Sequence, residues 1–162
     1  MAVPEIIRIA HEPNHRTETI GRYADGQFFA SITYACPEGF TRGEGWQDHK
    51  KLFVVLHRFD GDGHHLDSDI WCAGSWREQQ EQPHTANSVR ARAQARMARL
   101  LDGLPGREYG NISIRPFRLT VDNVLFGLVV ERHGEMENED DWAELYPDRL
   151  GFSAPWDGAY DT

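Results

Sequence analysis

Residues 52–72 read LFVVLHRFDGDGHHLDSDIWC, and this stretch decides the fold. Leu52 to Phe59 is apolar on nearly both faces, the pattern of a strand covered on both sides. Asp60-Gly61-Asp62-Gly63 is a turn by composition, because glycine tolerates positive φ and aspartate bonds its own backbone. His64 to Cys72 returns as the partner strand, so the stretch is a hairpin. A loop of Gly61 to Gly63, with Gly63 left-handed, pairs Asp60 with His64 and sets the register. Leu52 then faces Cys72, Val54 faces Ile70 and Leu56 faces Ser68. On the other side Phe53 meets Trp71, Val55 meets Asp69, His57 meets Asp67 and Phe59 meets His65. That register gathers His57, Asp67, His65 and Asp69 on one face. A carboxylate opposite an imidazole suits acid–base work or metal binding, so these four are the catalytic candidates. The competing reading is one ordinary ion pair on a half-exposed face, which is worth little.

Working outward, strand signals continue on both sides. Glu5 to Ala10 is a short β-type run, and Thr17–Tyr23 and Gln27–Ala35 form a hairpin around Ala24-Asp25-Gly26. Cys36 to Trp46 reads as a loop. Asn111–Leu119 and Val124–Arg132 read as another hairpin turning at Asp122-Asn123, with a bulge or edge where the apolar parity changes at Pro116. Ser75 to Glu78 fits a capping box and a short helical turn. One longer helix is expected over 88–103: Val89, Ala93, Met97, Leu100, Leu101 and Leu104 form an apolar stripe, and Gly103 and Pro105 stop it. Asn138 is expected to cap a short helix through Leu145. The fold class is therefore α+β, a mostly antiparallel sheet of about six or seven strands built from hairpins, with one long helix packed on one face.

The chain has 162 residues, the size of one domain, read as 1–162 with an acidic segment at 134–141 and an aromatic C-terminal tail at 150–162. The formal net charge of −9 opposes nucleic acid and anionic membrane and favours a basic protein partner. No apolar run is long enough for a bilayer, and the N-terminus lacks a signal-peptide pattern, so the expected location is cytoplasmic. Cys36 and Cys72 sit in strand-like runs and read as small core residues. The oligomeric state is left open.

Two motifs invite chemistry. His11-Glu12-Pro13-Asn14-His15 matches the H-E-x-x-H of zinc peptidases, which needs a helix to place both histidines together. Pro13 disfavours that helix at Glu12, so the segment reads as a polar loop. Asp60 to Gly63 resembles the start of a calcium loop, but Trp71 stands at its twelfth position where glutamate is required. No phosphate loop, dinucleotide fingerprint, C-x-x-C or nucleophile elbow occurs, so neither cofactor nor metal is expected. Arg92, Arg96 and Arg99 make a basic helix stripe, read as a solvated face or as a dock for the acidic residues 135–144. Trp142, Tyr146, Phe152, Trp156 and Tyr160 are candidate partner-binding residues, because aromatics are enriched at binding hot spots.

The segments GRYADGQFFAS (21–31), IRPFRLTVDNVLFGLVVER (114–132), and ELYPDRLGF with PWDGAYDT (144–162) together resemble a group of small actinobacterial proteins known as formate hydrogenlyase regulatory proteins. The resemblance covers most of the chain and implies a regulator rather than an enzyme. The favoured expectation is a non-enzymatic regulatory or protein-interaction domain. A toxin-neutralising immunity protein is a second binding-class reading, and a hydrolase or isomerase using the His57/Asp67 pair is the enzymatic rival.

Overall fold

The hairpin at 52–72 is the axis of the molecule. The computed structural model describes residues 3–40, 43–82, 87–132 and 141–162. In chain order the elements are β1 (Ile7–Ile9), β2 (Ile20–Tyr23), β3 (Gly26–Ala35), α1 (Trp46–His49), β4 (Lys51–Phe59), β5 (His65–Ser75), α2 (Trp76–Glu81), α3 (Val89–Asp102), β6 (Glu108–Tyr109), β7 (Ile112–Ile114), β8 (Phe117–Val121), β9 (Val124–Glu131), β10 (Trp142–Tyr146) and β11 (Leu150–Phe152). The strands make a five-stranded sheet ordered β5-β4-β3-β2-β6, a four-stranded sheet ordered β11-β10-β9-β8, and a β1–β7 ribbon. All pairings are antiparallel.

The α+β class with antiparallel sheets holds, but the described residues form eleven strands in three sheets rather than six or seven in one. Three helices are described, and α3 spans only 14 residues. It starts where Ser88 Oγ accepts from the Ala91 N–H and stops at Gly103. Its apolar stripe packs on Phe28, Ala30, Leu52, Val54 and Leu56, one face of the five-stranded sheet. The other face packs on the four-stranded sheet: Phe53 and Val55 meet Val124 and Phe126, and Phe29 and Phe59 meet Leu128 and Leu145. The result is three layers, helix on sheet on sheet. No described helix is long and apolar enough to cross a membrane.

Two expectations fail for a shared reason. The parity change at Pro116 is a change of sheet: β7 pairs with β1, while β8 pairs with β9. A proline cannot continue a ladder, and here it releases the chain from one sheet to the other. The expected helix ending at Leu145 is instead the strand β10 where it is described. Ala143 and Leu145 bury toward the core, opposite Val130 and Leu128, a period of two that outweighs the Asn138 cap signal. The cap itself and most of the acidic segment lie outside the described residues.

Of the two cysteines expected in the core, Cys72 packs against the inter-sheet cluster and Cys36 does not. Cys36 is exposed and Cys72 is half-buried, and they are not bridged.

Candidate functional site

The site question turns on one residue, Leu66. The Asp60 to Gly63 turn forms as its composition requires. Gly63 has φ 88°, Asp60 and His64 close the loop, and Asp60 Oδ1 accepts from the Asp62 and His64 N–H groups at 2.9 Å each. Phe59 pairs with His65, as the loop length demands. The next pair is Arg58 with Asp67, so Leu66 has no partner and stands 55% exposed in a bulge. From there the register is displaced by one residue: His57 pairs with Ser68, Leu56 with Asp69, Val55 with Ile70 and Val54 with Trp71. A one-residue slip sends every side chain to the opposite face. The expected His57–Asp67 pair is therefore not formed. A second bulge, between Leu52 and Phe53, leaves Ala73 unpaired, so Leu52 faces Gly74 rather than Cys72.

The four catalytic candidates part company across the sheet. His57 and His65 point between the two sheets. His57 is 1% exposed, with ring centroids 4.9 Å from Phe117 and 6.2 Å from Phe29. Ser68 Oγ lies 2.6 Å from His57 Nδ1 and 2.7 Å from His65 Nε2, so one hydroxyl serves one nitrogen of each ring. Burial, with His65 nearby, pushes His57 down to about 3. A group titrating there is a poor general base near neutrality. His65, stacked on Phe117 at 4.5 Å, is also lowered, chiefly by burial.

Asp67 and Asp69 stand on the α3 face. Asp67 takes a two-pronged contact from Arg58, with Nε–Oδ1 2.6 Å and Nη2–Oδ2 2.5 Å. Asp69 takes Arg96 Nη2 at 3.0 and 3.1 Å. Two of the three stripe arginines are thus spent locally: Arg92 pairs with Glu78 and Arg96 with Asp69. The described acids of the 135–144 stretch are held elsewhere, Asp141 by Arg132 and Glu144 by Arg149. Residues 135–140 of the expected dock lie outside the described residues.

What this arrangement leaves is a groove. β5 is an edge strand, pairing with β4 alone among the described residues, and most of its side chains are half-buried. Beside it runs α3. One hollow of 320 Å³ lies over Leu56, Leu100 and Leu104 and is walled by Arg58 and Asp69. A second, of 280 Å³, lies between Trp71 and the Arg92, Ala95 and Arg96 side chains. Arg99 lines both and pairs with no carboxylate among the described residues. The Nε groups of Arg92 and Arg96 are buried without a partner among the described residues, and Arg96 lies 5.5 Å over the Trp71 ring. The edge strand supplies unpaired backbone groups, and the helix supplies cations over an apolar floor.

The aromatic tail is largely absorbed by the domain. Phe152 is core, so it is not available to a partner. Gly151 pairs with Asp161, the Ala10 N–H donates to the Gly158 carbonyl at 3.0 Å, and Trp156 and Tyr160 pack against the inter-sheet core. Tyr146 donates to Glu131 at 2.6 Å, and the Trp142 indole donates to Glu144 at 3.3 Å. Burial first, then these carboxylates, raises the Tyr146 phenol.

The remaining motifs are turns. His11 and His15 lie in a turn-rich loop, with His11 Nε2 3.0 Å from the Glu18 carbonyl and its ring 5.9 Å from Tyr109. Asp60, Asp62 and His64 bring ligand-type atoms within 4.8 Å of one another, but Asp60 is already occupied by the turn's own N–H groups and by His64. No family model, no curated protein and no solved structure matches the chain.

Proposed function

We propose that this chain is a non-enzymatic regulatory or protein-interaction domain that recognises an extended segment of its partner at the groove between β5 and α3. The single observation behind this reading is an eleven-residue edge strand lying beside a helix whose Arg99 pairs with no carboxylate among the described residues. An extended segment added to such an edge gains main-chain hydrogen bonds, while alternate side chains enter the flanking hollows. Arg99 favours a carboxylate on that segment. The −9 net charge draws a basic partner at longer range, so the two features read different parts of one partner. Leu66 and the charges on Asp67 and Asp69 disfavour pairing of β5 with a second copy of itself, since bulges and edge charges blunt self-association. Neutralisation of a toxin would be one instance of this binding mode. The hydrolase or isomerase reading loses its support with the separation of His57 from Asp67.

The test is selection of peptides from a random library displayed against the folded domain. Binders with a carboxylate, weakened at least about tenfold by Arg99→Glu, are expected. Binders that ignore Arg99→Glu and compete with one another elsewhere on the surface would sink the reading.

A further inference from the structure

A second recess, unrelated to the groove, lies where the two sheets meet at their other end. It measures 440 Å³, within the range of small-molecule sites, and is bounded by the end of β3, the start of β4, the start of β9 and the β10–β11 turn. Its floor is apolar, formed by Ala35, Val124 and Pro147. Its rim carries two cations, Lys50 and Arg149, against one carboxylate, Glu38. That balance inverts the sign of the whole chain.

Both cations are held by aromatic rings. Lys50 Nζ lies 4.7 Å from the Trp76 ring, 5.0 Å from Tyr34 and 5.9 Å from Trp46, and no carboxylate pairs with it among the described residues. Ring faces attract an ammonium without consuming its N–H donors. Arg149 spends Nε on Glu144 Oε2 at 2.8 Å and lies 5.5 Å over Tyr146, and its side chain is 70% exposed. Its terminal N–H groups keep their donor capacity. The two phenols on the rim are already committed, Tyr34 to Gln79 at 2.5 Å and Tyr146 to Glu131 at 2.6 Å. The donors left for a ligand are thus cationic, and the surface left for its body is apolar.

We infer that this cleft binds a small organic carboxylate with an aryl or short acyl body, the carboxylate between Lys50 and Arg149 and the body over Ala35, Val124 and Pro147. Benzoate is the probe. Its charge without its body is acetate, its body without its charge is benzyl alcohol, and inorganic phosphate tests anion binding alone. Two signals report on the site: the indole fluorescence of Trp46 and Trp76 against Lys50, and the alkylation rate of Cys36, an exposed thiol lining the cleft, with half-buried Cys72 as internal reference.

The expected result is saturable quenching by benzoate that slows Cys36 alkylation and leaves Cys72 unchanged. Acetate, benzyl alcohol and phosphate should each bind at least about tenfold more weakly, and Lys50→Met and Arg149→Gln should each weaken benzoate by a similar factor. Lys50→Arg keeps the charge and the ring contacts, so it should retain binding, which guards against a merely unfolded Lys50→Met. The inference is overturned by no saturation with benzoate up to about 10 mM, by equal binding of acetate or phosphate, or by benzoate binding that survives both charge removals.

Discussion

His57 offers the sharpest quantitative test of the inter-sheet core. The ring is buried among Phe29, Phe59 and Phe117 and titrates at about 3 in the folded chain. An unfolded histidine titrates near 6.5. Below 6.5 the unfolded state therefore takes up a proton that the native state refuses, and stability falls as pH falls, down to about pH 3. At pH 5.0 the penalty is RT ln(1 + 10^1.5), about 2 kcal/mol, and at pH 7.5 it is below about 0.1 kcal/mol. The figure at pH 5.0 hardly depends on the folded value, because the native ring stays neutral at anything near 3. His57→Gln keeps a polar group facing Ser68 and removes the titration. Urea unfolding at both pH values should show the wild type losing about 2 kcal/mol more than His57→Gln between pH 7.5 and 5.0. His65 is present in both proteins, so its own titration largely cancels in the difference. Parallel losses in the two proteins would refute the buried, neutral His57 on which the face assignment rests.

Other perturbations test other layers. Phe126→Ala removes a ring that meets Phe53 edge-on at 5.4 Å between the sheets and should cost about 3–5 kcal/mol in chemical unfolding. Gly127 has φ 131°, and a Cβ there would stand 2.2 Å from the Phe117 carbonyl oxygen, so Gly127→Ala should lose at least about 2 kcal/mol and lower the melting temperature by several degrees. Ser88→Ala removes the α3 cap bonded to Ala91 at 3.2 Å and should cost about 1 kcal/mol without altering the sheets, read by far-ultraviolet dichroism during unfolding. Ser68→Ala leaves His57 Nδ1 and His65 Nε2 without their shared hydroxyl and should cost about 1–3 kcal/mol.

Much of the fold is legible because it is local. The Asp60–Gly63 turn, the β2–β3 hairpin, the helix stripe and the Asp122-Asn123 turn (φ 52° and 62°) are each dictated by a few neighbouring residues. What is not legible is non-local. The sheet change at Pro116 depends on β1 waiting for β7, and β10 becomes a strand because β9 offers it an edge. The candidate site failed at a single residue. Nothing adjacent to Leu66 signals a bulge, and the slip there moved Asp67 and Asp69 to the helix side while His57 and His65 stayed inside. One signal was present: after the slip Asp67, Asp69 and Trp71 share a face with Arg58 and the helix arginines, giving every acid a nearby cation. The caged Lys50 was hidden for another reason, since Tyr34, Trp46 and Trp76 converge on it from three separate elements.

The proposed recognition mode makes its most direct claim about the outer edge of β5. Amide hydrogen exchange of the domain, alone and saturated with a selected peptide, resolves that edge residue by residue. Slowed exchange is expected at alternate residues between Leu66 and Cys72, where outward N–H groups gain partners, with β8 unchanged. Peptide binding that leaves β5 exchange as it was would contradict it.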